Sequence, residues 1–294
     1  MAESITTTLD QHVQNTSPQS LGEGQCPEKM QGHWVLARTG KRALRPGGLE
    51  LTRGMLAALE IGLEDRVVEF APGLGVTARM VLQRRPAAYW AVERDAAAAD
   101  HLRKDLAGAV VRIINAPADA SGLANACATV VYGEAMLSMQ NPEQKGRIFR
   151  EARRLLGPEG RYGIHELCFT SEASDDLKRE IQSEFSKEIH MGVQPLSRRE
   201  WVGLFKENGM DVIWSATAPM HLLEPGRLLR DEGVWRALRI GLKVVTTPAL
   251  RRRIIAMQKL FRRYQACLCA IILVGQVDFC RELIARESPD RLEL

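Results

Sequence analysis

The sequence predicts an α/β fold in which a parallel sheet is covered by helices on both faces. Three observations predict it. From Arg66 onward, short apolar runs alternate with amphipathic helix-forming stretches, and strands separated by helices pair in parallel. The first apolar run, "RVVEF", passes through "APGLG" directly into "VTARMVLQRR", which reads as a strand, a tight glycine turn and a helix start. The longest apolar run, "ACLCAIILVGQV" at 266–277, is too short to span a bilayer and reads as a buried strand.

The elements follow in order. Residues 1–30 are polar and rich in Ser, Thr and Gln, and read as a mobile tail. Residues 31–294 read as one domain. A helix, a break at Pro46–Gly48 and a second helix come first, with Leu51, Met55, Leu56 and Leu59 on one face of the second. After "RVVEF" and its helix, "AYWAVER" is a second strand and "DAAAADHLRKDLAG" a helix. "AVVRIINA" is a third strand and "ATVVYGEAM" a fourth. The helix "PEQKGRIFREARRLLG" leads through a Gly-Pro-Glu-Gly turn into a fifth strand, "GRYGIHELCF". A charged, helix-prone insertion covers 169–196. The helix "SRREWVGLFKENGM" has Ser197 as its cap, Glu200 at the capping-box position and Gly209 as its stop. "DVIWSATA" is a sixth strand. A long basic helical segment, 219–264, separates it from the last strand.

Bulk properties narrow the function classes. Hydrophobic residues make up 45% and charged residues 26% of the 294, ordinary for a globular protein. A formal charge of +4 is too small to imply nucleic-acid binding by itself. The six cysteines are scattered, without a CxxC pair, so no zinc site is expected and reduced thiols in a cytoplasm are the default. No basic-then-apolar signal sequence opens the chain.

The glycine turn marks a nucleotide-like ligand, because the peptide N–H groups at a strand-to-helix turn bind polar ligands. Gly73-Leu74-Gly75-Val76-Thr77-Ala78 fits the GxGxxA form of the dinucleotide fingerprint. Glu69 argues otherwise: a carboxylate four residues before Gly73 repels a pyrophosphate and suits a ligand carrying an ammonium and a sulfonium. Glu93, at the end of the second strand, suits a ribose diol in either reading. With these residues, "VVEFAPGLG", "AVERD", "APADASGL" and "RLLGPEGRYGIHE" occur in the order and spacing of class I S-adenosylmethionine (SAM) dependent methyltransferases, and the chain resembles that family over roughly residues 60–170.

The resemblance implies a doubly wound, mostly parallel seven-stranded sheet whose last strand is antiparallel, with a helical N-terminal cap (31–59) and helical insertions (169–196 and 219–264). It implies SAM as cofactor. Glu69, Gly73 and Gly75 fall in the first motif, with Ala71 where the family more often has glycine. Glu93 would hold the ribose, Asp119 the adenine amino group, and Ala120 would stand beside the ring.

Ligands in open α/β sheets lie beyond the carboxyl ends of the strands. The catalytic candidates there are Glu134, His165 and Glu166, as base or as holder of a cationic acceptor, and Tyr132 is a substrate contact. His165 and Glu166 are neighbours on an extended chain, so only one of them is expected in the pocket. Arg227 and Arg230 of the basic segment are candidates for an anionic substrate. An insertion at this edge suits a small organic acceptor in an enclosed pocket. Two alternatives stand: a nucleic-acid or protein methyltransferase docking its substrate on the basic segment, and a non-catalytic SAM-binding regulator. Aromatic content of 5% and the lack of an Asn-Pro-Pro-Tyr motif after the fourth strand argue against nucleic acid.

Overall fold

Runs of β-branched residues build the centre of the sheet, and the helices between them force parallel pairing. In the computed structural model the described residues are 35, 39–40, 45–106, 108–170, 173–220 and 233–278. The polar tail, Arg227, Arg230 and most of the expected first helix lie outside them. The elements are α1 (Gly48–Ala58), β1 (Arg66–Phe70), α2 (Val76–Leu82), β2 (Ala88–Val92), α3 (Ala96–Asp105), β3 (Val111–Ile114), β4 (Ala128–Glu134), α4 (Pro142–Leu155), β5 (Leu156–Phe169), α5 (Asp175–Ile189), β6 (Leu196–Ser197), α6 (Arg198–Glu207), β7 (Met210–Pro219), α7 (Val234–Thr246), α8 (Pro248–Arg263) and β8 (Leu268–Val277).

The strand order is β3-β2-β1-β4-β5-β8-β7. β8 runs antiparallel to both β5 and β7, and the pairs from β3 through β5 are parallel. This is the seven-strand arrangement expected from the sequence, with one addition: the two-residue β6 pairs with the end of β5, off the main order. β5 also begins earlier than expected. The Gly-Pro-Glu-Gly stretch is absorbed into the strand as an irregularity opposite Ala128–Val130, with Glu159 at φ +57°.

Alternation along the strands sends side chains to two cores. Val67, Tyr89, Ala91, Val130 and Tyr132 pack under α1, α2 and α3. Val68, Phe70, Val131, Ile164 and Leu273 pack on the other face under α4 and α6. There Phe149 stacks edge-on against both Tyr162 and Phe205 at 5.1 Å between centroids, each large apolar side chain contributing about 1.5–3 kcal/mol by burial. Side-chain caps close several of the helix starts, including the one expected at Ser197. The Ser197–Glu200 capping box forms, and Asn141 accepts the Gln144 N–H before Pro142.

A third core lies beyond the carboxyl end of β5. Ile181, Phe185 and Ile189 of α5 meet Leu250, Ile254, Met257 and Phe261 of α8 over Leu167 and Phe169. Because β8 is antiparallel, α8 delivers the chain to this same end of the sheet.

Candidate functional site

The carboxyl ends of β1, β2, β4 and β5 open into a cavity of 330 Å³. Glu69, Gly73, Glu93 and Asp119 line one end. Leu167, Met191, Met220, Met257 and Phe261 line the other, and Arg45, Glu134 and Glu166 lie on its wall as well.

The turn after β1 depends on left-handed backbone. Gly73 has φ +56° and a side chain added there would meet nothing within 4 Å, so its space opens toward the cavity. Gly75, at φ +67°, is the N-cap of α2, and an added Cβ would come within 2.9 Å of Leu102. Ala71 is left-handed too, at φ +51°, which costs about 1 kcal/mol for a residue with a Cβ. That is where the resembling family more often has glycine.

Glu69 projects from β1 and is almost fully buried. It accepts hydrogen bonds from the hydroxyls of Tyr89 and Tyr132, the latter at 2.7 Å. Burial raises its pKa to about 7, more than the two tyrosines and Arg45 lower it, and the nearby Glu134 adds to the rise. Glu93 Oε2 accepts from the Gly73 N–H at 3.3 Å and Oε1 from the Asp95 N–H at 3.0 Å. Burial lifts its pKa as well, against those two amides. Asp119 accepts from Arg147 Nε at 2.8 Å.

Glu134, the last residue of β4, is the hub of a charged network. Its carboxylate accepts from Arg45 Nη1, from the Thr77 hydroxyl, and from the Thr52 hydroxyl at 2.6 Å, and it lies 2.9 Å from His165 Nδ1. Burial alone would raise its pKa. The Arg45 charge, His165 and Thr52 outweigh burial and hold it at about 2. A residue from the start of the described chain is thereby tied to the end of β4.

Glu166 points to the opposite face from His165 and reaches the cavity. Its two oxygens accept three backbone N–H groups, from Met136 at 2.9 Å, Leu137 at 2.7 Å and Ser138 at 2.9 Å. It therefore holds the turn after β4, and its pKa is raised by burial against those amides.

Three expectations are corrected. His165 is fully buried beside Glu134, on the α1 face of β5, and does not line the cavity. Tyr132 does not line it either. It stands two residues before Glu134 on the same face of β4, one step deeper in the sheet, and its hydroxyl serves Glu69. Ala120 is exposed and turned away, and Ala118 stands on the cavity wall instead, because the Pro117–Ala120 turn reverses the chain. Arg227 and Arg230 fall outside the described residues.

Sequence reasoning missed Arg45 and the apolar end. Arg45 carries no local signal, being a single basic residue in a run of them. Met191, Met220 and the α8 pair Met257 and Phe261 come from three separate places in the chain. Only the buried stripe Leu250, Ile254, Met257, Phe261 along α8 could have marked an inward face.

No profile of a known protein family matches the chain. An uncharacterized protein of Haemophilus influenzae is 28% identical over 213 residues, covering 71% of this chain and 83% of that one. Among solved structures, the MccD protein superposes with a TM-score of 0.61 at 15% identity, over 80% of this chain and 99% of that one. The [4+2]-cyclase SpnF gives 0.58 at 15% identity, over 78% and 80%. The geranyl diphosphate C-methyltransferase of Streptomyces coelicolor, in complex with Mg2+, geranyl diphosphate and S-adenosyl-L-homocysteine, gives 0.55 at 16% identity, over 78% and 77%. At such identities the likeness shows a shared fold, and that fold carries both a methyltransferase and a cyclase.

Proposed function

We propose that this chain is a SAM-dependent methyltransferase acting on a small, largely apolar acceptor. One observation carries the reading. Glu69 and Gly73 of β1 and its turn, Glu93 after β2 and Asp119 after β3 line one end of a single cavity whose other end is apolar. The residues fit the cofactor. The open space at Gly73 admits a close backbone approach, Glu93 offers a carboxylate for a diol, and Glu69 offers one for an ammonium group. S-adenosylmethionine supplies an activated methyl carbon when bound. The protein's part is alignment and exclusion of water, to which the packed ends of α5 and α8 contribute.

The wall carboxylates favour an acceptor that needs no strong base. Glu166 is engaged by three backbone amides and Glu134 by Arg45, two threonines and His165. Glu134, with its pKa held at about 2, is a poor proton acceptor, and a proton on Glu166 would disturb the three amide contacts that hold the turn after β4. Their role in this reading is to fix the turn after β4 and the Arg45 segment around the acceptor.

The test has two parts. Titration calorimetry is expected to register SAM and S-adenosylhomocysteine and no NAD or NADP. Incubation with methyl-labelled SAM and separate pools of small molecules, RNA and protein is expected to label a small molecule extractable into organic solvent. NAD binding without SAM binding would overturn the cofactor assignment, and label only in RNA or protein would overturn the acceptor.

A further inference from the structure

The outer face of α7 is unlike the rest of the surface. Val234, Trp235, Leu238, Leu242 and Val245 are each at least 60% exposed, Trp235 at 86%. At 3.6 residues per turn they share one arc of about 100°. Arg239, Lys243 and Arg236 follow on the adjoining arc, and Ala237 and Ile240 form the buried side against the protein. The helix thus has three sectors: one packed inward, one basic, and one apolar and open to solvent. An exposed apolar stripe of this size is not a neutral feature of a surface.

We propose that α7, with α8 behind it, is a docking surface for an anionic lipid bilayer, lying in the headgroup layer with Trp235, Leu238 and Leu242 inserted. Charge complementarity selects this occupant. Between Gly233 and Tyr264 the sequence has nine Lys and Arg residues and no Asp or Glu. Arg263 pairs with Glu180 and Glu184 of α5, while Arg236, Arg239 and Lys243 border the apolar stripe. A second copy of the chain would bring two such basic surfaces together and is disfavoured for that reason. A nucleic acid would match the charge and leave the apolar stripe in water. A bilayer bearing anionic headgroups meets both sectors, and a tryptophan at the edge of an apolar stripe flanked by Arg and Lys is the composition of an interfacial helix. No described helix is long and apolar enough to cross a membrane; the contact proposed is that of one helix face with the headgroup layer.

The placement relates to the cavity. α7 contacts α8, and α8 contributes Met257 and Phe261 to the cavity wall. A surface that rests on lipid therefore lies one helix away from the apolar end of the cavity. An acceptor dissolved in the bilayer would have a short route to it.

Vesicle flotation with the full chain tests the proposal, using phosphatidylcholine vesicles with and without phosphatidylglycerol. The protein is expected to float with the anionic vesicles, to be released as salt is raised, and to show a blue shift of tryptophan emission on binding. Trp235→Glu/Leu242→Glu is expected to weaken flotation by roughly tenfold or more. The milder Trp235→Ser/Leu238→Ser is expected to weaken it in the same direction should the first variant not fold. Circular dichroism and SAM titration of each variant, run alongside, are expected to be unchanged, which separates loss of docking from failure of the cofactor reading. Failure of the wild type to float with anionic vesicles would overturn the proposal, as would equal flotation of wild type and folded variants. A concentration-dependent dimer in analytical ultracentrifugation that Trp235→Glu dissolves, without vesicle binding, would assign the stripe to a second copy instead.

Discussion

The two ends of the cavity are built by opposite means. The end by Glu69, Gly73, Glu93 and Asp119 is made of carboxylates and left-handed backbone held at the tips of adjacent strands. The end by Met191, Met220, Met257 and Phe261 is made of flexible apolar side chains from segments far apart in sequence. Directional groups at fixed positions recognise one ligand closely, whereas methionines adapt their shape to the ligand. The contrast fits one invariant ligand at the polar end and a bulky, apolar one opposite.

The comparison breaks most decisively at the turn. Gly73→Val places a branched side chain in left-handed backbone and fills space that is open toward the polar end. SAM affinity is expected to fall by roughly a hundredfold or more, with the circular dichroism spectrum retained. Undiminished SAM binding by calorimetry would remove the turn from the ligand site.

The next effect falls on the seam between the ends. Glu134→Gln keeps the shape of the hub and leaves Arg45 without its carboxylate. Unfolding free energy is expected to drop by about 3 kcal/mol, measured by chemical denaturation. The sign with pH follows from the depressed pKa. The folded value of about 2 lies below the ordinary 4.5, so this stabilisation is full above pH 4.5 and lost as pH falls toward 2. Wild type and variant should therefore converge in stability in acid and diverge near neutrality.

This hub also shows where legibility in the sequence ends. The sheet could be read almost whole, because each strand is a local apolar run and some of the helices between them carry local caps, Ser197 with Glu200 among them. That Glu69, Gly73, Glu93 and Asp119 stand along one cavity could be anticipated for the same reason: each sits at a strand end or just after one, and strand ends are local. Glu134 was legible as a position and its partners were not. Arg45 precedes it by 89 residues, and nothing local in either segment announces the pair. Tyr132 and His165 were misplaced because their distance from the strand tip, and the helix covering that face, decide whether a strand residue reaches the cavity. The apolar end was not legible, since lone methionines look the same in a core and in a binding wall.

Glu69 provides a sharper comparison, because its carboxyl titrates on the opposite side from Glu134. Its pKa is raised to about 7, so in the free protein it is largely protonated below pH 7. A cationic ligand needs it ionised, and below its pKa a proton must leave on binding. SAM affinity is expected to weaken on acidification, approaching tenfold per pH unit below about 7, and to level off above it. Glu69→Gln should flatten that profile. A wild-type affinity that does not change as pH is lowered through about 7 would show that Glu69 does not meet the ligand's charge.

The smallest expected effect lies at the apolar end, and it distinguishes the two ends most directly. Met191 follows α5, is only partly buried, and lines the cavity. Truncation to alanine removes apolar contact with an acceptor while leaving the sheet and the turn untouched. Partial exposure keeps the stability change small, under about 1 kcal/mol. An acceptor methylene is worth about 0.8 kcal/mol when buried, and Met191→Ala removes contact equivalent to one or two of them. The KM for an apolar acceptor should therefore rise roughly three- to tenfold, with kcat and SAM affinity close to wild type. A rise in SAM Kd instead of acceptor KM would mean that the polar ligand extends across the whole cavity. The division between a fixed end and an adaptable end would then fail, because one ligand would span both.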